Sequence, residues 1–228
     1  MRDFHIVSFS GGKDSTAMLL MMVEKGMQID EILFCDTGME FPEMADHVKK
    51  VEEYIGREIT VIKHDKGFEH LAFERVLTKG KREGEKGYGW PRPNARWCTS
   101  RLKTELIGKH LRNRAKEYNV IQYVGIAADE ERRVKDKVYP LVEWGVTEAE
   151  ALQYCYDRGF DWGGLYEIFG RVSCWCCPLK SLAELKNLRK HRPELWQRLR
   201  EMDEKSYNTF KINCSVEQLE ERFAKEEE

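Results

Sequence analysis

The chain has 228 residues, 34% of them charged, and a formal net charge of -2. That length suits one α/β domain, with or without a helical appendage, and is enough to bury a core; the mixed charge does not mark a nucleic-acid binder. The longest uninterrupted apolar run, Ala17 to Val23, is too short to cross a bilayer, and His5 and Ser8 interrupt a leader-like start, so a cytoplasmic protein without a membrane anchor is expected. Seven cysteines, an odd number, then argue for metal or redox use over a disulfide framework.

In chain order, the first predicted element is a strand over Ile6 to Ser10, where Ile6, Val7 and Phe9 supply β-forming side chains. It runs into Ser10-Gly11-Gly12-Lys13-Asp14-Ser15. Two glycines let the backbone approach a ligand closely, and Asp14 or Ser15 is placed to cap the next helix. The first N–H groups of that helix face an anion at the turn and Lys13 adds a full positive charge, so the segment reads as a phosphate-binding loop. It is not a Walker A loop, which needs four residues between its glycines. The helix carries Ala17 to Val23, is apolar nearly all round, and is predicted to lie under a sheet and to end at Gly26.

Further strands are predicted over Glu31 to Asp36, Glu58 to His64 and Val120 to Ile126. Their alternation with helical patterns predicts an α/β fold with a parallel sheet covered on both faces. Ligands of such sheets sit beyond the carboxyl ends of the strands, which singles out the loop at Ser10 and the runs Asp36 to Glu43, His64 to Phe68 and Gly125 to Arg133. The stretch Thr78 to Arg96, with four glycines and two prolines, is predicted as a loop, either a lid or a solvated connector. Lys79, Lys81, Arg82, Arg92, Arg96 and Arg101 surround Trp90 and Trp97, which offers phosphate contacts and a stacking surface to a nucleic acid, or else a solvated face. Near the end, Leu182, Leu185 and Leu188, then Leu195, Leu199 and Met202, predict two helices split near Pro193. Ser215 and Gln218 predict a capping box opening a last helix that carries Leu219 and Phe223. The expected organisation is an α/β domain over residues 1–180 carrying the cysteine site, with a helical extension over 181–228 packed on it.

Cys174 and Cys177 form a C-x-x-C pair that encloses Cys176, and a short turn brings such sulfurs to one metal centre. Cys98 lies far off in sequence. Cys35 belongs to a strand and Cys155 to a helical pattern, and both are read as small core residues. A zinc staple joining Cys98 to the pair is one reading and an iron-sulfur centre another.

The run SGGKDS resembles the pyrophosphate-binding loop of the PP-loop ATP pyrophosphatases, the superfamily that includes the sulfonucleotide reductases. DTGMEFPE from Asp36, the pair Asp129 and Glu130, and YPLVEW from Tyr139 to Trp144 resemble motifs of the phosphoadenosine phosphosulfate (PAPS) reductase-like family, in the same order. Cys98, Arg101, Lys103, Cys174 and Cys177 fall on the pattern of family members that carry a 4Fe-4S cluster. The resemblance extends to about Leu179 and implies the three-layer adenine nucleotide alpha hydrolase-like (HUP) fold with about five parallel strands. Three departures qualify it. Trp97 replaces the first cysteine of a family pair, which implies a three-cysteine cluster with one open iron, Cys176 being the alternative fourth ligand. The reductases' Glu-Cys-Gly-Leu-His tail is missing, since Cys214 is flanked by Asn213 and Ser215. Lys13 is present where the reductases usually lack a lysine. All three point toward ATP.

The resemblance therefore implies an ATP pyrophosphatase of the sulfur-transfer type, forming AMP and pyrophosphate, with ATP, Mg2+ and a 4Fe-4S cluster (or Zn2+) as cofactors. It implies pyrophosphate held on Ser10, Gly11, Gly12 and Ser15 beside Lys13, with Asp14, Asp36 or Asp129 on the metal ion. Thr37, Gly38 and Gly125 are then expected at the nucleotide, Arg132 and Arg133 at its phosphates, and Lys13, Asp14 and Asp129 in catalysis. Implied partners are an adenine nucleotide, a nucleic-acid or small-molecule acceptor, and a cysteine desulfurase or other sulfur donor. A sulfonucleotide reductase with an altered nucleophile and a non-catalytic nucleotide-binding regulator are the alternatives, and the number of subunits is left open.

Overall fold

The computed structural model describes residues 1–226. The chain divides into two compact units that interleave along the sequence. The first comprises Met1–Asp36, Phe41–Ile62 and Glu105–Tyr166; the second comprises Thr37–Glu40, Lys63–Thr104 and the chain from Glu167 onward. Among the described residues no helix is long and apolar enough to cross a membrane.

The first unit is built on a sheet of strands β1 (Arg2–Phe9), β2 (Glu31–Asp36), β3 (Thr60–Lys63) and β4 (Tyr118–Val124), in the order β3-β2-β1-β4. β1 pairs parallel with β2, Ile6 opposite Glu31, and parallel with β4, Ile6 opposite Gln122. Consecutive buried residues in β1 and β2, including Ile6, Val7, Ile32 and Leu33, show that both faces of these strands are covered, as parallel sheets require. Helix α1 (Lys13–Glu24) covers one face; Ala17 to Leu20 and Met22 are at most 1% exposed, so its all-round apolar character reflects burial on every side. Gly26, at φ +63, ends it as predicted. Helices α2 (Glu43–Ile55), α3 (Glu105–Arg114) and α4 (Glu148–Tyr156) complete the unit, with α1 packed against α4.

Two expectations are corrected here. The sheet has four strands among the described residues, not five: Val138 makes a single parallel bridge to Tyr123. The segment before it, Glu131 to Lys137, is exposed and densely charged, and offers no apolar face to extend a covered sheet. The cap of α1 is Gly12, in an extended conformation and without a side-chain bond, so Asp14 and Ser15 lie inside the first turn.

One buried carboxylate ties α3 to the sheet. Glu31, 7% exposed, accepts hydrogen bonds from Arg114 Nε at 3.0 Å and His110 Nε2 at 2.9 Å. Burial alone would raise its carboxyl, but the bonds from Arg114 and His110 outweigh that, and its pKa lies below the ordinary value. The resulting stabilisation is complete above the unfolded carboxyl pKa and is lost as pH falls through the folded one. Glu31→Gln is expected to cost about 1–3 kcal/mol at neutral pH and to flatten the acid limb of thermal midpoint against pH.

The second unit gathers the glycine-rich stretch, the cysteine segments and three helices, α5 (Leu182–His191), α6 (Pro193–Glu204) and α7 (Val216–Lys225). Pro193 opens α6 at its first position, and α7 begins with both bonds of the Ser215/Gln218 capping box, as predicted. Leu185, Leu188, Leu199, Met202, Leu219 and Phe223 are all at most 1% exposed, the inward stripe of these helices. The glycine-rich stretch is anchored over its second half: Tyr88 N donates to Leu71 O, and Gly89 N to Ala72 O. Trp90 is 1% exposed; its Nε1 donates to Asp203 and its ring meets Phe210 edge-on.

Candidate phosphate loop and thiol site

The sheet order reverses about β1, which has β2 on one side and β4 on the other, so the carboxyl ends of β1 and β4 form the position where such sheets bind ligands. The loop Ser10–Ser15 follows β1 and Gly125 follows β4. A Cβ on Gly125 would come within 2.6 Å of Ser15 Cα, so the missing side chain lets the two strand ends close on each other. Gly11, at φ +77, adopts a backbone conformation that favours glycine, with the Met44 thioether lying against it.

The loop is organised by its own hydroxyls and by residues the sequence reading missed. Ser15 Oγ accepts from Ser10 N at 3.1 Å, lies 2.9 Å from Ser10 Oγ and donates to Gly12 O at 3.0 Å. Trp162, at φ +51, donates its indole N–H to Gly11 O at 2.7 Å and stacks on His47 with centroids 4.4 Å apart. His47, held near pKa 3 by burial, is a neutral imidazole bonded to Thr16 Oγ1 at 3.0 Å. The Lys13 N–H, expected to face an anion, donates to the Tyr166 hydroxyl at 2.9 Å. The signal for these partners was slight: an aromatic residue followed by two glycines, at 162–164, marks a strained turn without saying what it reaches.

Lys13 Nζ pairs with the Glu148 carboxylate, from the first residue of α4, and with Asp14 Oδ1 at 3.3 Å. Burial lowers the Lys13 pKa, but the bond to Glu148 and the charges of Asp14 and Glu148 outweigh this and hold it above the usual value. Asp14 is raised, chiefly by burial, with Lys13 opposing. Its Oδ1 is buried against the Lys13 ammonium. Asp129 Oδ1 accepts from Glu148 N at 3.1 Å, Arg133 pairs with Glu130, and Arg132 is exposed. Asp14, Asp129, Glu130 and Glu148 are hard oxygen donors of the kind magnesium takes, but among the described residues no three of them are arranged to hold one ion by themselves. Asp36 ends β2.

In the second unit, Thr37 N and Oγ1 and Met39 N all donate to the Glu40 carboxylate, so the DTGME turn wraps around it. Cys174 Sγ lies 3.7 Å from Thr37 Oγ1 and 4.0 Å from Glu40 Oε1, and Lys103 Nζ lies 3.6 Å from Glu40 Oε1. The loop after Cys177 is held by Lys211 Nζ, which donates to Pro178 O and Lys180 O. Gly38, at φ +74, sits in the same turn, where a Cβ would lie 3.9 Å from Lys63 Nζ. Cys98 lies in the helical turn Trp97–Thr99, which continues into a π-helical turn, Ser100–Thr104.

The thiols of Cys98, Cys174, Cys176 and Cys177 share one electrostatic neighbourhood. Burial raises Cys174 to about 11, with Lys103 opposing; Cys176 is raised well above the ordinary thiol value, first by burial and then by Cys174, Cys177 and Cys98. Cys98 is raised by burial, and Cys177 adds to it. Among the described residues no three Cys, His, Asp or Glu side chains are arranged to hold a single metal ion. Cys35 and Cys155 are buried core residues, in β2 and α4.

The surface expected around Trp90 and Trp97 is corrected in part, with Lys79, Lys81, Arg96 and Arg101 exposed. Trp90 is a core residue, Trp97 stacks on Phe68, Arg92 is spent on the carbonyls of Thr209 and Phe210, and Arg82 lies over Tyr207. Sequence places aromatic and basic residues side by side in such a loop; packing decides which face inward.

Comparison with known proteins places these features in context. The sequence profile described as phosphoadenosine phosphosulfate reductase domain matches residues 5–180. Two uncharacterized proteins of Methanocaldococcus jannaschii are each 27% identical to the chain, over 88% and 84% of it, and a nin region protein of Escherichia phage lambda is 28% identical over 58%. The chain spans about half the length of these relatives, 42%, 45% and 51%. Among solved structures, PAPS reductase from Candida auris aligns with TM-score 0.49 and 17% identity, covering 73% of this chain and 77% of its own. The U34-tRNA thiolase NcsA from Methanococcus maripaludis, with its 4Fe-4S cluster, aligns with TM-score 0.42 and 16% identity, covering 98% and 74%.

Proposed function

Because the chain belongs to the phosphoadenosine phosphosulfate reductase domain family, we propose that it is an ATP pyrophosphatase of the sulfur-transfer type. The observation that carries this reading is Lys13, whose side chain is 11% exposed and whose ammonium is flanked by carboxylates at the loop. An acceptor oxygen attacks the α-phosphorus of ATP, the bond to the β-phosphate oxygen breaks, and pyrophosphate leaves. A sulfur nucleophile then displaces AMP. The departing pyrophosphate gains negative charge, so the fixed loop and Lys13 favour the transition state over the ground state. Asp14 and Asp129 are the proposed magnesium ligands, with Ser10, Gly11, Gly12 and Ser15 holding pyrophosphate and Arg133 facing the phosphates.

A 4Fe-4S cluster on Cys98, Cys174 and Cys177, with Cys176 beside them, would supply an iron able to hold sulfur. The chain's own contribution there is to position the thiols. Thr37 and Glu40 contact Cys174, and the Lys103 charge favours its thiolate. The acceptor is proposed as a nucleic acid or a small molecule, and the sulfur donor as a cysteine desulfurase or its equivalent.

Anaerobically purified protein is expected to be brown and to convert ATP to AMP and pyrophosphate when acceptor is present. Colourless protein containing zinc would overturn the cluster. Sulfite release from adenylyl sulfate in place of AMP formation would establish a reductase instead, and tight ATP binding without turnover a regulator.

A further inference from the structure

We propose that Glu148 is a specificity-determining residue, admitting to the loop those polyphosphates that arrive complexed with a divalent cation. This rests on the reading of Ser10–Ser15 as the phosphate site and goes beyond it, since neither the loop motif nor the family pattern of the sequence singles out Glu148.

The Glu148 carboxylate already occupies the Lys13 ammonium. A phosphate obtains that charge by displacing Glu148, and the surroundings make the exchange unfavourable for a bare anion. Asp14 and Glu148 flank the Lys13 ammonium, Asp129 accepts from the Glu148 backbone N–H, and Glu130 pairs with Arg133; the cations facing these carboxylates are Lys13 and Arg133. Asp14 and Glu148 flank the same ammonium, so the two carboxylates already repel one another across the loop. A displaced Glu148 would add its charge to that repulsion with no ammonium beside it. A polyphosphate carrying magnesium reverses the balance. Its phosphate oxygens take Lys13, while the released Glu148 and the Asp14 carboxylate turn to the metal ion. Sulfate, monophosphate and sulfonucleotides, which hold a divalent ion weakly, gain little from this exchange. Selectivity thus arises from a penalty on the wrong ligand as much as from contacts to the right one.

Glu148 is well placed for this. It is the first residue of α4, and the start of that helix is secured by the Thr147/Glu150 capping box, so the Glu148 side chain is not required for it. Glu148→Gln keeps the size and that box while removing the charge.

The test is calorimetric titration of inorganic pyrophosphate into the full chain, wild type and Glu148→Gln, with magnesium and with EDTA. In the wild type, EDTA is expected to weaken pyrophosphate binding about tenfold or more. In Glu148→Gln, metal-free pyrophosphate is expected to bind about tenfold more tightly than to the wild type, and the magnesium effect to shrink accordingly. Equal metal-free affinity in the two proteins, or a wild type indifferent to EDTA, overturns the role of Glu148 and leaves the phosphate loop standing. Failure of both proteins to bind pyrophosphate and ATP with magnesium overturns the loop reading and this proposal with it.

Discussion

Replacing Lys13 with alanine is expected to slow conversion of ATP to AMP and pyrophosphate by roughly 10²- to 10³-fold, the loss that follows removal of one fixed group from a site of developing charge. Its ammonium lies at the loop between Glu148 and Asp14, where negative charge develops on the departing pyrophosphate. Its loss should therefore lower the turnover rate more than ground-state ATP affinity, a split that steady-state rates combined with equilibrium binding will read. Folding should survive: the loop backbone is held by Ser15, Trp162 and Tyr166, none of which uses the Lys13 side chain. A variant with full activity would remove Lys13 from the chemistry and undercut the assignment of the loop.

The second large effect is expected at the thiols. Cys98→Ala, Cys174→Ala and Cys177→Ala should each lose most bound iron and the visible absorbance of the anaerobic protein. The loss should be at least the roughly 10- to 100-fold drop in metal affinity caused by removing an outer-shell partner, because these side chains are the proposed ligands themselves. Cys35→Ala and Cys155→Ala are the controls. Both sit in the core of the first unit, and their replacement should cost stability while leaving iron content unchanged. Iron retained in all three single variants of the first group would separate the thiols from any cluster.

Local pattern made much of this molecule legible. β-forming side chains before Ser10 and an apolar run after it specified strand, turn and helix, because side-chain periodicity and glycine freedom act over a few residues. The same holds for the break at Pro193 and the Ser215 capping box, where the bonds join residues three or four apart. Corrections fell where local pattern could not weigh alternatives. The tail of the sheet, around Val138, lacked an apolar face, and the α1 cap passed to Gly12 because Ser15 was engaged in the loop.

The sequence by itself determined that a glycine turn with a lysine ends the first strand, that an α/β sheet carries it, and that Cys98 and the Cys174–Cys177 run are set apart from Cys35 and Cys155. Tertiary structure alone decided that Glu148 holds Lys13, that Trp162 and Tyr166 pin the loop, that Glu40 sits beside Cys174, and that Trp90 is core. The reason is physical: a charge or an indole N–H acts on whatever folding brings within a few ångströms, and Glu148 stands 135 positions from Lys13 along the chain.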